Sequence, residues 1–204
     1  MKKTLQFLLI ITLIISFSNA EEIKTALLLV DIQNFYFPSE NNPGLVGAED
    51  ASQIAQEVLQ EFRKNDNRVV HIRHKAKNGF EIHDNVKPLP NEKIITKTEV
   101  NSFNGTDLLE YLQSNEISRL VIIGMQTHMC MEGATRAAYD HGFECIVIED
   151  ACATRDLTFG ATTVKASDVH ASTLESLTYG GYAKVIDLEE FKANLNKYLS
   201  EPIK

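Results

Sequence analysis

The sequence predicts an α/β protein: a three-layer, Rossmann-like fold with a six-stranded parallel sheet and helices on both faces. Three observations lead there. Short apolar runs rich in β-branched residues recur along the chain, each too short for a helix and each ending at a polar or small residue. The stretches between them carry apolar residues at helical spacing, which is the alternation of a covered parallel sheet. Finally, 204 residues with 44% hydrophobic content are enough for one sizeable core and too apolar for a disordered chain.

Taken in order, the elements are as follows. Lys2 and Lys3 precede an apolar stretch from Phe7 to Phe17, and Ser18, Asn19 and Ala20 supply small residues for cleavage, so residues 1–20 are expected to be a secretory signal peptide. The stretch is shorter than the roughly 20 residues of a membrane anchor. Residues 21–204 then form one domain, exported to the periplasm or secreted. Thr25 to Val30 is the first strand and ends at Asp31. Asp50 or Ser52 is expected to cap a helix whose Ile54, Val58, Leu59 and Phe62 share one face. Arg68 to His74 is the second strand, and Lys93 to Thr96 the third, ending at Lys97. Thr106 caps a helix carrying Leu108, Leu109 and Leu112. Leu120 to Ile123 is the fourth strand, closed by Gly124, and a helix runs from Met131 through Ala134, Ala137 and Ala138 to Gly142, where a left-handed cap belongs. Cys145 to Ile148 is the fifth strand, running into Glu149 and Asp150. Val169, Thr173, Leu174 and Leu177 mark a further helix, Ala183 to Ile186 the sixth strand, and Leu188, Phe191, Leu195 and Leu199 one final amphipathic helix.

Without Lys2 and Lys3 the mature chain has eighteen basic against 28 acidic residues, a formal charge of −10. That balance argues against nucleic acid or an anionic membrane as partner and is otherwise a statement about solubility. Three cysteines remain, an odd number that leaves at least one thiol unpaired within the chain. Cys145, inside an apolar run, reads as core. Cys152 follows the same strand, and a regulatory disulfide with Cys130 is the one pairing its position suggests.

The polar residues at strand ends carry the functional argument. Open α/β sheets bind ligands beyond the carboxyl ends of their strands, where the strand order reverses. Asp31, Lys97 and Cys130 follow the first, third and fourth strands. A base, a cation and a nucleophile at one sheet edge are the parts of cysteine-based acyl transfer. Cys130 falls between a strand and a helix, where free backbone N–H groups and the helix dipole favour thiolate over thiol.

These residues lie in motifs that resemble one family. VDIQNFYF from Val30 to Phe37, the lysine of TKTEVNSF from Thr96 to Phe103, GMQTHMCMEGATRAA from Gly124 to Ala138, and the downstream EDACATRD look like the isochorismatase-like cysteine hydrolases. The likeness runs in order from about Thr25 to Val185. It implies an Asp31, Lys97, Cys130 triad that hydrolyses a small amide or related C–N bond through a thioester. It also implies a cis peptide between Met125 and Gln126, with the backbone N–H groups of Gln126 and Cys130 forming an oxyanion hole. Homo-oligomers are the family tendency. Vinyl-ether hydrolases of the family lack the cysteine, and a non-catalytic scaffold or a thiol-redox protein are the readings from other classes.

Further candidates surround the triad. Gln33, Phe35, Tyr36, His74, Phe103 and His128 are expected to shape the substrate pocket. Asn34, Met129, Thr154 and Asp156 lie close by in sequence, and His141 and His170 are expected to be solvated on helices. Nicotinamidases, which the sequence also resembles, carry an Asp and a His two apart after the second strand as part of a metal site. This chain has Ile72 and His74 there, and His71 and His74, three apart on a strand, face opposite sides. The expectation is therefore no catalytic metal and no cofactor.

Overall fold

A computed structural model describes residues 23–203. The expected signal peptide lies outside the described residues. The first strand, β1 (Thr25–Val30), is buried along its whole length. Its side chains alternate, Leu27 and Leu29 to one core and Ala26, Leu28 and Val30 to the other, as the two-residue strand period requires. The other strands are β2 (Arg68–His74), β3 (Lys93–Lys97), β4 (Arg119–Met125), β5 (Glu144–Ala153), β6 (Leu157–Phe159), β7 (Thr162–Val164) and β8 (Lys184–Ile186). Six form one parallel sheet in the order β3-β2-β1-β4-β5-β8, while β6 and β7 make a separate antiparallel hairpin.

Helices cover both faces. On one side α1 (Ala48–Lys64), α5 (Leu188–Ala193) and α6 (Leu195–Ser200) contribute Val58, Phe62, Phe191 and Tyr198. On the other, α2 (Leu108–Ser114), α3 (Glu132–Asp140) and α4 (Ala166–Tyr179) contribute Leu112, Ala138 and Leu177. Burying each of the large side chains is worth about 1.5–3 kcal/mol.

From β1 the chain steps outward to β2 and β3, then returns to place β4 on the other side of β1. The order therefore reverses between β1 and β4, and the crevice lies beyond their carboxyl ends. Gly124 permits the closeness of those ends. It has φ +127, and a Cβ there would lie 2.0 Å from the Val30 carbonyl oxygen. Beside it β5 bulges, advancing from Val147 to Cys152 while β4 advances only from Ile122 to Gly124. That bulge carries β5 to Ala153, further than the expected Ile148.

Three other expectations are corrected. Neither Asp50 nor Ser52 caps α1: the helix starts at Ala48 after a left-handed Gly47, so Glu49 and Asp50 fall in the first turn, where carboxylates meet the positive end of the dipole. The Ser52 hydroxyl donates instead to the Glu49 carbonyl. The final helix is two, because the Asn194 amide bonds to the Glu190 carbonyl and the backbone leaves helical geometry there. The β6–β7 hairpin was not expected at all, its strands being three residues each. Thr106 does assist α2, accepting from the Leu108 N–H at 3.3 Å.

The largest fully buried side chain is Arg119, at the start of β4. Its Nε donates to Glu144 Oε2 at 2.7 Å, Nη1 to the carbonyls of Lys197 and Tyr198 at 2.9 and 3.1 Å, and Nη2 to that of Glu201 at 2.7 Å. It thereby satisfies carbonyls that the end of α6 leaves without helical partners.

Candidate active site

Parallel pairing assembles the site. Asp31 follows β1 directly, and its N–H is held by the Ile72 carbonyl of β2 at 3.0 Å. Lys97 ends β3 in register with His74, the end of β2, so the two side chains project to the same side. Cys130 sits in a single π-helical turn, Thr127–Met131, between β4 and α3. The Lys97 ammonium joins them. Its Nζ lies 2.8 Å from Asp31 Oδ2, 3.2 Å from Cys130 Sγ and 3.2 Å from His74 Nδ1, and it donates to the Glu99 carbonyl at 3.0 Å. Asp31, Lys97 and Cys130 are 0%, 1% and 4% exposed, so the charges act with little screening by water.

Asp31 has φ +52, a left-handed backbone uncommon for a residue with a Cβ. Such a conformation costs on the order of 1–3 kcal/mol and concentrates at functional positions. Burial raises the Asp31 carboxyl above the usual range, against the pull of Lys97, which makes it a better base than a surface aspartate. Burial and the Asp31 charge push the Cys130 thiol up to about 11, Lys97 opposing. The helix position, read from the sequence as favouring thiolate, is outweighed here, because the thiol is enclosed in the π turn beside a carboxylate.

The Met125–Gln126 peptide bond is cis, as the sequence motif implied. The Gln126 side chain accepts from Arg155 Nε at 2.9 Å and donates to the Tyr36 hydroxyl at 3.4 Å. Tyr36 is buried, which pushes its phenol up to about 12, and the charges of Cys130 and Asp31 add to that shift. Phe35 stacks edge-on against it with centroids 4.2 Å apart. His128 bonds through Nδ1 to the Thr154 hydroxyl at 2.6 Å, and burial lowers its pKa. Arg155 was missed in the sequence; a basic residue just past the fifth strand, between Thr154 and Asp156, was the available signal.

Several expected pocket residues have other tasks. The Gln33 amide is fully used, accepting from the His74 N–H at 2.6 Å and donating to the carbonyls of His74 and Phe80 at 3.0 and 2.7 Å. It fixes the end of β2 rather than a substrate. Phe103 packs in the core against Phe143 and His141, at 6.2 and 5.1 Å between centroids. Asp156 caps α4 by accepting from the Ala166 N–H at 2.8 Å. His170 is half-buried rather than solvated, with Nδ1 3.0 Å from the Thr127 hydroxyl of the turn that holds Cys130. All three cysteines are free thiols, and burial pushes those of Cys145 and Cys152 up to about 12.

The residues do not fit the nicotinamidase-type metal site. Ile72 stands where that site needs a carboxylate, and His71 bonds through Nε2 to Glu92 Oε2 at 3.0 Å. Glu92 is itself paired with Arg63, which outweighs burial and holds it at about 2. Asp31, His74 and Cys130 do bring three donor atoms within 4.8 Å of one another. The ammonium of Lys97, however, contacts all three and supplies the cation there.

A doubly wound sheet with a buried carboxylate, ammonium and thiol at its switch point defines a class, and comparison with known proteins agrees. Residues 25–190 match the isochorismatase domain. The chain is 40% identical over 178 residues to the isochorismatase family protein YddQ of Bacillus subtilis, covering 82% of this chain and 98% of that one. A crystal structure of an isochorismatase-type hydrolase from Oleispira antarctica superposes with a TM-score of 0.78 at 41% identity, over 83% of this chain and 96% of that one. Nicotinamidase 3 of Arabidopsis thaliana is 27% identical over 104 residues, 51% of this chain and 47% of that one. The protein belongs to the isochorismatase family.

Proposed function

We propose that the protein is a cysteine hydrolase that cleaves the C–N bond of a small-molecule amide or ureido compound. The observation that carries this is the buried contact of one ammonium with both Asp31 and Cys130. In the resting state the thiol keeps its proton and Asp31 is the carboxylate. Asp31 takes the Sγ proton as sulfur attacks the acyl carbon, and Lys97 stabilises the charge on both partners throughout. The carbonyl oxygen becomes an oxyanion held by the backbone N–H groups of Gln126 and Cys130. Asp31 then passes its proton to the departing amine as the C–N bond breaks, leaving a thioester. Water attacks the thioester while giving a proton to Asp31, the C–S bond breaks, and sulfur recovers that proton.

An amide fits because a poor amine leaving group needs the proton that Asp31 has just taken, and a relative named nicotinamidase supports the same bond type. The absence of the metal-site carboxylate at Ile72 sets this chain apart from nicotinamide as substrate. The test is a screen of small amides and ureido compounds for ammonia release. Cys130→Ala is expected to lose at least about 10³-fold in rate with unfolding unchanged; wild-type rates in that variant refute the reading. Export and self-association remain part of the same proposal, tested by a mature chain beginning at Glu21 and by its mass in solution.

A further inference from the structure

His74 is held more firmly than a strand-end residue requires. Both its backbone N–H and its carbonyl are bound by the fully buried Gln33 amide, which is itself anchored to the Phe80 carbonyl. Its imidazole is half-buried beside the reacting groups, with a ring nitrogen within 4.8 Å of donor atoms of Asp31 and Cys130. Nδ1 faces the Lys97 ammonium at 3.2 Å. An ammonium has three protons and no lone pair, so in that contact Nδ1 accepts. The ring proton is then on Nε2, and Nε2 has no partner among the described residues. With its backbone held on both sides and one ring nitrogen beside the reacting groups, His74 carries an N–H that the protein leaves unused and a ligand can take.

We propose that His74 donates a hydrogen bond from Nε2 to the bound substrate, so that the site selects acyl compounds with a second acceptor atom, a carbonyl or carboxylate oxygen, next to the scissile carbonyl. This rests on the C–N hydrolase reading above and names its substrate class. A site built to hydrogen-bond such an oxygen disfavours the analogue lacking it, because the half-buried donor then loses that partner.

The experiment compares amides of similar size, oxamate and pyruvamide with the acceptor and propionamide without it. In the wild type, kcat/KM is expected to favour the first two by at least about tenfold. His74→Phe is expected to collapse that ratio, and His74→Gln, which keeps a donor near the Nε2 position, to restore part of it. The ratio is the diagnostic, because loss of the Lys97 contact alone lowers all rates together. Equilibrium binding of oxamate to the Cys130→Ala protein gives a readout independent of turnover. It is expected to weaken at least about tenfold in the added His74→Phe background and to recover with Gln. Equal affinity in the Phe background, or no oxamate binding at all, overturns the proposal. If oxamate binds through His74 but no amide is cleaved, the hydrolase reading fails and the donor assignment stands.

Discussion

The protonation state of Cys130 separates two mechanisms that share the same three residues. With the thiol at about 11, roughly one molecule in 10⁴ carries a thiolate at about pH 7, a hundredfold fewer than for an unperturbed cysteine near 9. Asp31→Asn removes the negative neighbour that helps raise the thiol, while Lys97, which lowers it, remains; the thiol pKa should fall. Turnover should fall as well, by about 10²–10⁴-fold, because the base is gone. More thiolate with less catalysis is the signature of a base-assisted nucleophile. The assay is alkylation by iodoacetamide across pH, followed at the Cys130 peptide by mass spectrometry, with Cys145 and Cys152, both near 12, as internal references. The wild-type rate should climb about tenfold per unit from about pH 7 to 10, and the Asp31→Asn curve should be displaced to lower pH. A wild-type curve already flat near neutrality would mean a preformed thiolate–ammonium pair with Lys97, and an upward displacement in Asp31→Asn would contradict the assigned electrostatics. Either result refutes the mechanism.

Other consequences follow from the same structure. Because the Asp31 carboxyl is raised, activity should fail on acidification at a pH above the usual aspartate range near 3.8, as the base gains its proton; a pH–rate profile reads that limb. Gly124→Ala forces a Cβ to within 2.0 Å of the Val30 carbonyl and should cost at least about 3 kcal/mol in urea unfolding, with loss of activity because Asp31 is the next residue. Arg119→Met strands the carbonyls of Lys197, Tyr198 and Glu201 and should cost about 3 kcal/mol, with faster amide hydrogen exchange in α6.

What was legible in the sequence was whatever a local pattern encodes. The bounds of β1 follow from a continuous apolar run, and the clustering of Asp31, Lys97 and Cys130 from polar residues placed where strands end. Properties that depend on partners distant in the chain were not legible. Gln33 and Phe103 lie beside triad residues in sequence, yet one is consumed by His74 and Phe80 and the other by Phe143. The ionisation of Cys130 was misread because helix position favours thiolate, whereas burial and Asp31 outweigh it in the folded chain. The break at Asn194 was an oversight of a different kind, since the side-chain bond to the Glu190 carbonyl is local and asparagine is a known competitor for such carbonyls.

Arg119 ties the start of a central strand to the end of the chain. Its guanidinium occupies the start of a central strand, yet three of its four acceptors lie some eighty positions downstream, at residues 197, 198 and 201. Without that segment the guanidinium keeps Glu144 as its charged partner and loses the three carbonyls. A chain cut short before residue 197 is therefore expected to leave the start of β4 short of these acceptors and to be less stable.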